Sequence, residues 1–419
     1  MLLLLRRPAS LLLLIALTAL TAVYGIVPAT KYVGSDFPNY FTAARIVVNG
    51  GDIDRLYDDV WFQEQIRGYQ VGSLGLGKFT PFPPVSALLL VPLTGLSALN
   101  ALRVMTAISL LCGLACIVLL ARVLSWRLLD AALLVLLSGY AIFSALRDGQ
   151  PYIVVSLSCI LGYYLRLRGR PLLAGISFGL FVPIKYFAVV YLVYFAVRKE
   201  GKLVLGGVIA ALAVGLLGLV VLGWGIHAQF LSRVLGNHLL GKLGMQDPFT
   251  ASFQSFDSLL RRLFVFDAAA NPQPFLAYPA LQILGTPIIK ASLLAAAIAA
   301  LVKLNRGRRE AAAAPSLGII GITTMLLAPA TATYHFVLLW LPIGLLIEYF
   351  IEERAIAWAA CILAVYALIG LFPYRMTQPF EGRGGLNVLA FPRLALLLLL
   401  FMVAVYFVWR RQDPLPKPT

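Results

Sequence analysis

Long apolar runs, each closed off by cations, decide what this chain can become. They extend from about Ala9 to Ala29 and then over roughly 101–121, 128–146, 151–167, 172–197, 202–222, 278–301, 315–330, 335–350, 355–372 and 389–409. About 20 such residues cross the hydrocarbon of a bilayer as a helix. In lipid each backbone polar group must be satisfied within the segment, which leaves helices or closed barrels. Runs this long point to helices, and the expected fold class is all-α and polytopic. Composition agrees, with 61% of residues hydrophobic and 12% charged, whereas a soluble domain is about a quarter charged. A soluble globular protein, a disordered chain, a coiled coil and a disulfide-stapled secreted domain are all excluded.

The cations orient the runs. Cytoplasmic loops of membrane proteins carry the excess of Lys and Arg. Clusters at Arg6/Arg7, Arg122/Arg127, Arg166/Arg168/Arg170, Arg198/Lys199/Lys202, Lys303/Arg306/Arg308/Arg309 and Arg410/Arg411 share one side under two conditions. The stretch 172–197 must be a hairpin of two short helices broken near Val182-Pro183-Ile184-Lys185, and the proline-rich 82–97 run must dip into the membrane without crossing. The expectation is then a single domain over 1–419 with about 12 membrane helices and both termini cytoplasmic. A formal charge of +16 would suggest nucleic acid in a soluble protein; here most of it is topology, and no nucleic-acid partner is expected.

Two long stretches, 30–80 and 223–277, fall on the outer side, with shorter loops at 147–150, 331–335 and 373–388. The first is acidic, carrying Asp36, Asp52, Asp54, Asp58, Asp59 and Glu64, and has helical spacing from Phe41 to Val48. Cytoplasmic connectors are short, so the working surface faces out. Cys112, Cys116, Cys159 and Cys361 all lie inside apolar runs and read as buried apolar side chains. No phosphate-cradling glycine loop, zinc spacing or nucleophile elbow appears. No metal site and no cofactor are expected.

The charges that break the pattern carry the chemistry. Asp36 follows the first run at the outer membrane surface, where partial desolvation raises a carboxylate's pKa and basicity; it reads either as a general base on a hydroxyl or as the cap of a helix starting at Phe37-Pro38, and the roles can coexist. Lys185 interrupts an apolar hairpin, where a cation is costly and usually functional; it can neutralise a lipid phosphate or snorkel to the interface. Arg147-Asp148-Gly149-Gln150-Pro151 is either a tight turn with an Arg–Asp pair or a hydrogen-bonding patch for sugar or phosphate. His335, after Thr331-Ala332-Thr333-Tyr334, can relay a proton, hold a leaving phosphate oxygen, or simply be solvated at the interface. The remaining outer cations, Arg233, Lys242, Arg261, Arg262, Arg375 and Arg383, can meet an anionic donor or lipid headgroups.

An ordered set of motifs resembles the membrane glycosyltransferases of family 87, in the GT-C superfamily. Ser35-Asp36-Phe37 through Tyr40, Ala43-Ala44 and Leu56-Tyr57-Asp58 resemble that family's acidic first outer loop. Phe79 through Pro83-Pro84, then Pro92-Leu93, resemble its aromatic-Pro-Pro segment. Gly149-Gln150 resembles its Gly-Gln turn, although Pro151-Tyr152 follows where a polar or small apolar residue is the pattern. Ala174-Gly175 to Ile184-Lys185 and Ala328-Pro329 through Tyr334-His335 complete the series.

The resemblance implies a GT-C-type bundle with a helical first outer loop. It also implies an inverting transfer of mannose or a similar sugar from a polyprenyl-phosphate donor to a glycolipid or glycan hydroxyl. Asp36 and His335 are then the catalytic candidates, with Lys185, Gln150, Arg147 and Tyr40 binding the donor and Asp58, Asp59 and Arg383 in reserve. A lipid or solute transporter is the alternative; the absence of a sequence repeat between halves speaks against it. The expected location is a bacterial inner membrane, since the first run lacks a clean cleavage site and no eukaryotic retention signal ends the chain.

Overall fold

The computed structural model describes residues 7–34, 36–72, 77–241, 247–306 and 312–410. Of the residues named above, Arg6, Ser35, Lys242, Arg308, Arg309 and Arg411 lie outside them. The described chain is helical, with two isolated β-bridges, and divides into two compact units at Pro248/Phe249.

In the first unit, α1 (Arg7–Thr21) passes through a π-helical turn into α2 (Val27–Lys31), giving a first span over Pro8–Lys31. The acidic stretch then folds as α3 (Phe37–Val48) and α4 (Asp59–Gly68). Next come α5 (Ala98–Val123), α6 (Leu128–Leu136), α7 (Tyr140–Arg147), α8 (Tyr152–Leu167), α9 (Pro171–Gly179), α10 (Val189–Val197) and α11 (Gly201–Leu222). Two short helices, α12 (Trp224–Gln229) and α13 (Gly236–Leu239), end the unit. Helices α9 and α11 meet nearly backbone to backbone: a Cβ on Gly175 would strike the Leu203 carbonyl, and one on Gly179 the Gly207 carbonyl. Small residues permit such an approach where lipid supplies no hydrophobic drive for association.

The 30–80 stretch is not a loose connector. Phe37, Tyr40, Phe41, Ile46, Phe62, Ile66 and Phe79 are fully buried in one apolar core, shared with Ala101 and Leu102 of α5. Each such side chain contributes about 1.5–3 kcal/mol on burial, which is ample to order two short helices. Phe82 packs at the edge of this core and stacks on Tyr40.

The second unit holds α14 (Phe256–Phe264), α15 (Pro279–Arg306), α16 (Ala313–Leu327), α17 (Trp340–Glu352), α18 (Ile356–Leu371) and α19 (Pro392–Arg410). The span Thr333–Glu352 is its central element, 78% buried, whereas Pro279–Arg306 is 11% buried and turns its apolar surface outward. A polar knot closes the unit. Buried Arg393 donates to the Ile369 and Phe372 carbonyls and to Thr333 Oγ1, while Gln254 Oε1 accepts from the Arg393 backbone.

Six described helices are long and apolar enough to cross a membrane, or seven with α6 and α7 taken as one bent span. The chain is thus an integral multi-pass membrane protein. Helices α8 and α18 have 16 residues each and α16 has 15, about 24 Å at most against the roughly 30 Å of hydrocarbon. The 128–146 run, read above as one span, forms two helices bent by 73°. The break falls at Gly139, whose φ of +43° is open to glycine. The expected break in 172–197 is present, between Gly179 and Val189. The 82–97 run forms only short 3-10 turns.

Candidate active site

Asp36 occupies the N-cap position of α3, and the local sequence explains the helix start: Pro38 fits the first turn, where its missing N–H costs nothing. A cap aspartate ordinarily accepts from a backbone N–H two or three residues on. Asp36 makes no such side-chain bond. Its Oδ2 instead accepts from Gln150 Nε2 at 2.8 Å, across 114 residues of sequence.

Gln150 is fully buried and held from both ends. Tyr40 Oη donates to its Oε1 at 3.0 Å. A carboxylate only accepts, so the amide nitrogen must face Asp36 and the amide oxygen Tyr40. Burial, with Tyr152 and Asp36 nearby, pushes the Tyr40 phenol well above its ordinary pKa, so it stays a donor. The bend that delivers Gln150 depends on Gly149, with φ +61° and Phe37 Cδ2 only 2.5 Å from where a Cβ would sit.

Lys185 enters the same region from the break between α9 and α10. It is 8% exposed and makes no ion pair among the described residues. Aromatic rings surround its ammonium: Phe82 at 4.3 Å, Tyr152 at 4.9 Å and Tyr40 at 5.3 Å to the centroids. Ring faces attract a cation, more strongly when it is desolvated. Asp36 acts on the same charge through space. Ser86 donates to the Ile184 carbonyl, tying the Pro-Pro segment to the residue before Lys185, and Tyr40 stacks on Phe82 at 4.6 Å. A carboxylate, an amide, a phenol and a caged cation therefore meet in one unit.

Residues 79–329 match glycosyltransferase family 87. The chain belongs to that family. This family 87 chain is accordingly a membrane glycosyltransferase, an enzyme acting on a sugar donor and an acceptor. The matched region contains Phe82, Arg147, Gln150, Tyr152 and Lys185; it starts after Asp36 and Tyr40 and stops short of His335 and Arg383. No curated protein matches the chain and no solved structure does.

The other candidates stand differently. Arg147 pairs with Asp148 at 3.0 Å, and Asp148 also accepts from Ser144. The turn reading of that segment is thus realised, and Arg147 remains near enough to Asp36 to sense its charge. Asp58 caps α4 by accepting from Trp61 N and pairs with Arg55 at 2.7 Å, contacts that hold its carboxyl below the usual range. Asp59 accepts from Thr80. In the second unit, His335 Nδ1 accepts from Ala332 N at 3.0 Å, and Arg383 is exposed. Arg262 is buried, pairing with Glu381 and donating to the Phe249 carbonyl.

Reading the sequence missed Tyr152 as a wall of the lysine cage, because that position was noted only as a departure from pattern. It also missed Lys78, whose backbone N–H donates to buried Asn39 Oδ1 and whose ammonium burial pulls down to about 8, against the attraction of Asp59. No motif carried either signal.

Proposed function

We propose that this glycosyltransferase moves mannose or a similar sugar from a polyprenyl-phosphate donor to a glycolipid or glycan hydroxyl, with inversion, on the extracytoplasmic side of a bacterial inner membrane. In this reading the chain forms one GT-C-type domain of about 12 membrane helices. Asp36 accepts the acceptor proton as the oxygen attacks the anomeric carbon, and the bond from that carbon to the phosphate oxygen breaks on the opposite face. Gln150 holds the carboxylate in place, itself aligned by Tyr40. Lys185 meets the negative charge that collects on the departing phosphate, where a desolvated cation counts for more than one in water. Arg147 is assigned to the donor phosphate or sugar. A monophosphate is a good leaving group, so no divalent metal or other cofactor is required.

The observation that supports this reading is the hydrogen bond from Gln150 Nε2 to Asp36 Oδ2, which joins the carboxylate to a buried amide across 114 residues of sequence. The test is transfer by membranes containing the protein, supplied with a panel of labelled polyprenyl-phosphate sugars. Label passing from at least one of them to a lipid or glycan acceptor is expected. Transfer from nucleotide sugars alone would sink the donor assignment.

A further inference from the structure

A cleft of mixed lining lies away from Asp36 and Lys185. It has a volume of about 600 Å³ and is lined by Arg122, Trp126, Tyr164, Leu167 and Arg168 among others. Helices α5 and α8 pack together, and both contribute their C-terminal ends to it: Arg122 stands one residue before the end of α5, and Arg168 directly follows α8. In the orientation read from the cations, these are the points where apolar helices leave the hydrocarbon. Trp and Tyr concentrate at that depth.

The charges are sorted. Nearby Arg127 pairs with Asp130, and Arg166 and Arg198 share Glu200. Arg122 and Arg168 make no ion pair among the described residues, and the Arg168 guanidinium lies 5.9 Å from the Tyr164 ring centroid, against the cleft wall. Helix C-termini repel anions, so any affinity for an anion here comes from the two arginines. Below them, Leu111, Leu114 and Val118 of α5 are exposed along the helix, an apolar track of acyl-chain character.

We propose that this cleft binds one anionic phospholipid, its phosphate between Arg122 and Arg168, its glycerol region on Trp126 and Tyr164, and its chains on the outer face of α5. The purified protein in zwitterionic micelles is titrated with brominated-chain phosphatidylglycerol or brominated-chain phosphatidylcholine, reading tryptophan quenching. Saturable quenching at a lower mole fraction of phosphatidylglycerol is expected, disappearing in Trp126→Phe. In Arg122→Gln/Arg168→Gln the half-saturating fraction is expected to rise about tenfold, with far-UV circular dichroism unchanged. Equal quenching by both lipids, an unaltered titration in the double variant, or survival of the saturable phase in Trp126→Phe would overturn the assignment. Because Trp126→Phe keeps both arginines, it reads the site even where the double variant fails to fold. Full displacement by inorganic phosphate would assign the arginines to a free anion and overturn the lipid.

Discussion

At Asp36 the residue type and its position pulled in different directions. The sequence reading left base and cap open, because Asp before Phe-Pro satisfies both. The hydrogen bond from Gln150 takes the carboxylate away from the α3 backbone, a long-range contact that local spacing cannot announce. Gln150, placed among the donor-binding residues, meets Tyr40 and Asp36 at its two ends, and the proposed mechanism gives it a positioning role. Gln150→Ala is expected to lower kcat about a hundredfold, the scale of a misplaced reacting group, with KM for donor little changed. The acid limb of its rate profile should move to higher pH, because a carboxylate losing a donor to its charged form is more easily protonated. Unchanged kcat and an unshifted profile would remove Gln150 from the positioning role.

Among the elements, periodicity and length told where helices run but not where they stop short. Leu128 to Leu146 is apolar almost throughout, so nothing in hydropathy separates α6 from α7; one glycine at positive φ does. The 172–197 break was legible because a proline and a lysine interrupt the run. The two helices of the acidic stretch were partly legible too, since Phe41 to Val48 has helical spacing. Their burial was not, because it depends on Phe79 and on α5, far along the chain. Gly149 joins these elements to the site. Gly149→Ala meets both a left-handed backbone and the Phe37 ring, at a cost of about 1–3 kcal/mol. It is expected to lower the melting temperature and the transfer rate together, measured on the same preparation. A variant melting like wild type with full activity would show that the bend tolerates a side chain.

For the whole molecule, the excess of positive charge is read as a matter of location. Arg166 and Arg198 around Glu200, and Arg127 with Asp130, are paired near helix ends, as expected of anchors at a membrane surface. Membership of family 87 rests on residues 79–329. The catalytic assignment reaches outside that region to Asp36, which makes Asp36 the place to press. The decisive measurement compares wild type with Asp36→Asn in native membranes, following donor binding and sugar transfer on one sample of labelled polyprenyl-phosphate sugar. Asparagine keeps the shape and still accepts a bond from Gln150, but cannot take the acceptor proton. Donor binding at wild-type affinity with transfer slowed roughly a thousandfold, within the range of a general base, is the expected result; transfer at the wild-type rate would contradict it and move the base elsewhere.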